Sequence, residues 1–331
     1  MTPARYSKKC LISKSPDLFM DDRISIFDFS KSESSDKIYL RGINNILKEI
    51  FLHLGGVKEV SLLLNQKYAK VKEWPMGRKP ISLLDLNSLL GECDKEFVGN
   101  IKAKIDNVDI YLNCKYSPKR IKFPKYLSEN LSYLAGLILG DGSLAGDSSN
   151  LEGNWNISAY FDNLEHHKIY DNLIFKEFEV SANFKDPDGE YTTSIFSSRV
   201  LHWFFREYFG FFNGYKCSKI FVPNKILDCE NRFIIIAFLQ GLFDSDGTFT
   251  CGEVRYSTTS EKMAVQVKQI LLDIFGIDTS LGIWRKKGEY LPLYTVYLHS
   301  RAKVESFAEL IGFRHPNKKV LLENFINSPI V

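Results

Sequence analysis

Residues 133–144, YLAGLILGDGSL, return 105 positions later as residues 238–249, FLQGLFDSDGTF. Both copies read aromatic, Leu, any, Gly, Leu, apolar, any, small, Asp, Gly, hydroxyl, apolar. A duplication of this kind predicts two equivalent halves in one chain, and it is settled before any single element is assigned. Leu134, Leu137, Ile138 and Asp141 stand at i, i+3, i+4 and i+7, so one helical face carries three apolar side chains and then a carboxylate. Gly136 and Gly140 stand four apart, as do Gly241 and Ser245 in the second copy. Small residues at that spacing let two helix backbones approach closely. Crossing the helices there would bring Asp141 and Asp246 together, with Gly142 and Gly247 expected to supply the left-handed residue that ends each helix. Helix C-termini carry partial negative charge. Two carboxylates added there favour a hard divalent cation such as Mg²⁺, which takes oxygen ligands and keeps several waters.

The chain after each copy reads alike. In the first half Asn154–Phe161 alternates as a strand and Leu164–Phe178 reads as a helix. A hairpin over Lys185–Ser197 with Asp188-Gly189 as its turn follows, then an amphipathic helix at Val200–Phe209. The second half gives a strand at Glu253–Thr258, a helix at Lys262–Phe275, a hairpin over Ser280–Ser300 and a last helix from Ala302. This order predicts an α+β fold with two curved antiparallel sheets.

These motifs resemble the LAGLIDADG (dodecapeptide, DOD-type) homing endonucleases in their single-chain, two-motif form. The resemblance implies a pseudo-symmetric duplicated αββαββα domain with the motif helices at its interface. It implies a metal-binding acid at the eighth motif residue, Asp141 and Asp246, with Gly140 and Ser245 adjoining in the metal set and Mg²⁺ or Mn²⁺ as cofactor. The sixth motif position, variable in the family, is Leu139 in one copy and Asp244 in the other, and Gln240 replaces the usual small residue at position two, which is expected to loosen packing. A catalytic lysine near each centre is implied. Lys219, 78 residues after Asp141, and Lys318, 72 after Asp246, are assigned, with Lys216 and Lys319 as close alternatives. Family members lay their sheets in the DNA major groove, where Arg and Lys read guanine edges and Asn reads adenine. Arg199, Arg255, Arg285 and Lys286 are the implied DNA contacts, with Lys287, Asn154 and Asn156 beside them. The function implied is a site-specific, metal-dependent double-strand DNA endonuclease of intron homing, monomeric with an internal pseudo-two-fold. Two alternatives stand beside it: a non-catalytic DNA-binding transcriptional regulator on the same scaffold, and an intron RNA maturase.

Residues 57–90 carry a second pattern. Val57, Val60, Leu63 and Leu64 make one short amphipathic helix, with Asn65 in the turn; Tyr68, Val71 and Trp74 make a second, stopped by Pro75; Leu83, Leu86 and Leu90 start a third. Two short helices closed by a third follow the helix-turn-helix plan. K-x-W-x-x-G-R-K-P is similar to the Cro/repressor-like group, in which Trp74 would be core and Gly77 would end the helix. Residues 57–80 hold six basic residues against two acids. Lys67, Lys70, Lys72, Arg78 and Lys79 are therefore expected to meet phosphates, whose neutralisation releases counterions.

At 331 residues the chain has room for two domains. The net charge of +3 requires any basic surface to be local. The expected layout is an irregular segment 1–36, a small all-α helix-turn-helix domain 37–114, a basic linker 115–125 and the duplicated domain 126–331, with halves 126–229 and 230–331. Six cysteines without a C-x-x-C pair argue for reduced thiols in the cytoplasm and against zinc. No apolar run reaches the roughly 18 residues of a membrane span. The partner expected is double-stranded DNA, not a membrane.

Overall fold

The computed structural model describes residues 22–29, 37–114, 119–146, 155–185, 192–285 and 291–329, those of 183–185 by backbone alone. Asn154, the Asp188-Gly189 turn, Lys286, Lys287 and most of segment 1–36 lie outside these residues.

The N-terminal domain runs β1 (Ile38–Arg41), α1 (Asn44–His53), α2 (Val57–Leu63), α3 (Tyr68–Val71), β2 (Ile81–Ser82), α4 (Leu83–Gly91), α5 (Lys95–Asn107), β3 (Tyr111–Cys114) and β4 (Ile121–Lys122). It is not all-α. Its strands form an antiparallel sheet of order β2-β1-β3-β4, with Tyr39 opposite both Ser82 and Asn113. The 115–125 stretch is not simply a linker either, because β4 within it pairs Ile121 with Leu112 and Phe123 is buried. Segment 1–36 contributes core as well: Ile26–Phe29 is a 3-10 turn with Ile26 and Phe29 buried. The Phe29 ring lies 4.6 Å from Trp203 and 5.7 Å from Phe123, tying this domain to the first repeat.

The first repeat comprises α6 (Glu129–Gly140), β5 (Gly142–Ala145), β6 (Asn156–Phe161), α7 (Leu164–Phe178), β7 (Asn183–Lys185), β8 (Thr192–Ser197), α8 (Arg199–Phe209) and the short α9 (Asn224–Leu227). The second comprises α10 (Arg232–Asp246), β9 (Gly247–Thr250), β10 (Glu253–Thr258), α11 (Glu261–Phe275), β11 (Ser280–Trp284), β12 (Leu293–Leu298), α12 (Arg301–Leu310) and α13 (Pro316–Asn327). Both follow αββαββα, and the sheets have the same order, β5-β6-β8-β7 and β9-β10-β12-β11. Equivalent helices start on equivalent caps: Asn163 and Ser260 accept from the third residue beyond them on α7 and α11, and Ser198 and Ser300 do so on α8 and α12.

Residues Leu131 to Leu139 of α6 are buried without a break. A helix apolar on every side belongs inside a core, and α6 lies there against α10. Each sheet keeps one face on its helices and one open. Along β10 the burial alternates residue by residue, leaving Glu253, Arg255 and Ser257 toward the open side. Among the described residues no helix is long and apolar enough to cross a membrane.

Candidate functional site

The motif helices touch backbone to backbone. A β-carbon on Gly136 would strike the carbonyl of Phe238, and one on Gly241 would strike the carbonyl of Tyr133. One turn on, a β-carbon on Gly140 would run into Ser245 and stand 3.2 Å from Asp246 Oδ2. The Asp246 carboxyl therefore overhangs the end of α6, one residue before Asp141. Gly142 and Gly247 are not left-handed helix ends; Gly247 is extended (φ −87°, ψ 154°) and both open strands. Glycine is needed there because a β-carbon would press on Ile138 or Phe243 of the preceding turn.

Among the described residues the carboxyl of neither Asp141 nor Asp246 has a hydrogen-bond or ion-pair partner, although the Asp141 amide donates to the Leu137 carbonyl. Asp141 is solvent-exposed, yet desolvation by the surrounding protein raises its pKa while Lys318 and then Lys216 oppose the rise. Asp246 is pushed up to about 7, first by burial and then by the charge of Asp141. Like-charged carboxylates at two helix C-termini leave a site that attracts a cation.

Two lysines close the centre. Lys216 Nζ donates to the carbonyls of Ile138, Leu139 and Gly140 at 2.7, 2.7 and 2.9 Å. Lys318 Nζ donates to those of Phe243, Asp244 and Ser245 at 3.2, 2.6 and 3.1 Å. An ammonium has three donors, so each caps one motif helix completely. Burial lowers both, Lys216 to about 8. Their influence is crossed: Lys318, which caps α10, weighs more on Asp141, and Lys216, which caps α6, weighs more on Asp246.

Lys219 is not at the centre. It is exposed, and Lys216 holds the place; Lys319 faces Glu323 at 3.9 Å. The sequence held the signal. Gly210-Phe211 precedes Lys216 as Gly312-Phe313 precedes Lys318, at one constant offset of 102.

A family profile described as a LAGLIDADG-like domain matches residues 234–312, from within α10 to just past α12. Residues 234–312 therefore carry a LAGLIDADG-like domain. Among curated relatives, 222 residues match a glutamine–fructose-6-phosphate aminotransferase of Methanocaldococcus jannaschii at 26% identity, covering 66% of this chain and 19% of that protein. A DNA polymerase of Thermococcus hydrothermalis matches at 30% over 188 residues, covering 54% of this chain and 11% of the polymerase. The chain thus spans a fifth or less of these relatives. The homing endonuclease I-DmoI in complex with DNA and Mn is similar at 18% identity and a TM-score of 0.43, covering 56% of this chain and 97% of that one. Full-length DUF199/WhiA from Thermatoga maritima is similar at 18% and 0.38, covering 61% of this chain and 62% of that one.

Other positions differ from the sequence reading. Gln240 does not loosen packing: its amide donates to the Ile311 carbonyl at 2.6 Å and its oxygen accepts from Arg314 Nε at 2.7 Å. The carbonyls of Gly140 and Ser245 already accept from the lysines. Arg255 lies toward the open face of β10 but is held by Glu253 at 2.6 Å and stacked on Tyr297. Arg285 is exposed after β11, and Arg199 starts α8 over the Trp155 ring rather than lying on a strand. Asn156 accepts from Ser197. In the N-terminal domain Trp74 is buried and Gly77 has φ +72°. However, α3 is a single turn. Lys67, Lys72 and Lys79 are exposed, Lys70 reaches Gln66 at 3.0 Å, and Arg78 faces Glu73 at 3.6 Å.

Sequence reasoning missed a buried polar chain on one side of the centre. Asp244 accepts from Tyr133 Oη at 2.7 Å and from the backbone amides of Arg314 and His315 at 3.1 and 3.0 Å. Tyr133 Oη also meets His166 Nε2 at 2.8 Å, and His315 Nε2 meets Asp162 Oδ1 at 2.9 Å. Burial, then His315 and Lys318, hold His166 down to about 3, so it is neutral. With the tyrosine proton on Asp244, His166 Nε2–H donates to the tyrosine oxygen.

Proposed function

We propose that this protein is a site-specific double-strand DNA endonuclease of the LAGLIDADG type that hydrolyses one phosphodiester bond on each strand. The observation that carries the reading is the pair of unpartnered carboxylates, Asp141 and Asp246, at a pseudo-two-fold crossing with a capping lysine on each side. Among the described residues no three His, Cys, Asp or Glu side chains gather as a metal-binding group. Two carboxylates suit Mg²⁺ or Mn²⁺, which complete their shell with water and substrate phosphate. When bound by Asp141 and Asp246, such a cation activates water and offsets charge on the phosphate.

The chain's own residues do the rest. Asp141 and Asp246 hold negative charge at the point where two scissile phosphates would converge. Lys216 and Lys318 have no donor left for a phosphate; they act as fixed charges that neutralise the helix ends and keep two carboxylates tolerable at close range. The open faces of the two sheets, with Asn156, Tyr160 and Ser197 on one and Arg255, Ser257 and Tyr297 on the other, are the surfaces that read base edges. Segments similar to this chain form a small part of an aminotransferase and of a polymerase, proteins of unrelated chemistry, which supports an element that moves between genes.

A regulator on this scaffold is the second reading. It is favoured by the N-terminal domain, with Lys67, Lys72, Arg78 and Lys79 exposed outside the duplicated unit. The experiment that separates the two is incubation with Mg²⁺ and a library of random DNA targets, followed by sequencing of cut ends. The endonuclease yields a recurrent double-strand cut site, which Asp141→Asn reduces to a nick on one strand while DNA binding persists. Equal cleavage by the variant, or metal-independent binding without nicking, contradicts it.

A further inference from the structure

The polar chain through Asp244 has no counterpart across the pseudo-two-fold. The motif position of Asp244 is Leu139 in the first copy, and that of Tyr133 is Phe238 in the second. Counted from the caps of α7 and α11, His166 corresponds to Met263 and Asp162 to Thr259; counted from the lysines, His315 corresponds to Asn213. Leu139, Phe238 and Met263 are all buried. One side of the crossing is apolar where the other is a hydrogen-bonded network.

The consequence falls on Lys318. Asp244 takes the amides of Arg314 and His315, immediately before α13, and Lys318 lies in the first turn of that helix. In the first half the loop that carries Lys216 is held instead by backbone, Gly214 N donating to the Leu144 carbonyl at 2.9 Å, and by Asn213 donating to the Gly146 carbonyl.

We infer that Asp244 is a positioning residue that sets Lys318 against the end of α10, so that the two strand-cutting centres are unequal and the centre containing Asp141 and Lys318 depends on this network while the centre containing Asp246 and Lys216 does not. The inference rests on the endonuclease reading for its catalytic consequence and on the hydrogen bonds alone for its structural one. Asp162 and His315 act electrostatically on Asp141 and are absent from the influences on Asp246, in keeping with a one-sided device.

The test has two arms. In metal-free protein, lysine ammonium resonances slowed in exchange by their hydrogen bonds are recorded for wild type, Asp244→Asn and His315→Asn. Protection of Lys318 is lost or weakened in Asp244→Asn and that of Lys216 is kept; loss of both, or of neither, overturns the positioning role. In the second arm a supercoiled plasmid carrying the site is cut with Mg²⁺. Wild type linearises it, and Asp244→Asn accumulates circles nicked on the strand that Lys318→Met leaves cut, the other strand slowing about ten- to a hundredfold, as when a supporting partner of a site is lost. His315→Asn, which restores the first-half residue, does the same to a smaller degree. Equal slowing of both strands overturns the inequality. Absence of any cutting by wild type refutes the endonuclease reading and leaves the first arm to decide the positioning.

Discussion

The two lysines of the centre make the same three hydrogen bonds but are brought there differently. The loop before Lys216 turns through Gly210 and Gly214, both left-handed, and hangs on the backbone of β5. The loop before Lys318 is seized by the buried carboxyl of Asp244, itself held by a tyrosine from the opposite motif helix. Duplication has kept what geometry demands, namely glycines at the crossing, carboxylates at the ends and a cation over each helix terminus. It has let the supporting contacts drift apart. Backbone anchors tolerate side-chain change, whereas a buried charged anchor fails once a partner is lost, because an unsatisfied buried polar group is expensive.

Replacing either acid breaks the symmetric part of the comparison. Asp141→Asn and Asp246→Asn are each expected to slow cleavage of one strand by about a thousandfold or more, the scale of losing a preorganised charge at a reacting phosphate. Strand-resolved gel kinetics read this directly. Gly136→Val and Gly241→Val should be equally damaging to the fold. Each forces a side chain into a facing carbonyl and costs about 3 kcal/mol, at the upper end of overpacking, seen as a fall in thermal midpoint. A clear difference between them would mean that the crossing is less symmetric than its contacts.

Acidity sharpens the difference between the carboxylates. Asp246 is raised to about 7 in the fold against an ordinary 3.8. Its proton therefore stabilises the folded state fully below about pH 4, and that contribution is lost as pH rises through 7. Metal-free melting curves should fall in midpoint between pH 4.5 and 8, and Asp246→Asn should flatten that fall. The smallest effect is expected at Lys219, where Ala should leave cleavage and melting unchanged while Lys216→Met does not.

Much of this was legible in the sequence, because duplication and periodicity are local. The helix at Leu164–Phe178 and the strand at Glu253–Thr258 have the ends that the pattern gives. The N-terminal sheet was hidden because β2 and β4 are two residues long and show no alternation. The interval from the motif acid does not separate Lys219 from Lys216, three residues apart; the Gly-Phe pair that both loops share does. The Asp162–His315 contact joins residues 153 apart and leaves no spacing to read. Gln240 looked like a misfit because its partners, Ile311 and Arg314, come from the far end of the repeat.

The most direct measurement is Mn²⁺ binding followed by electron paramagnetic resonance in wild type, Asp141→Asn, Asp246→Asn and the double variant, each checked for folding by its melting curve. Each single substitution should weaken the bound signal and the double one should abolish it, as expected of a cation held by both helix ends. Binding that survives in the folded double variant would contradict the account.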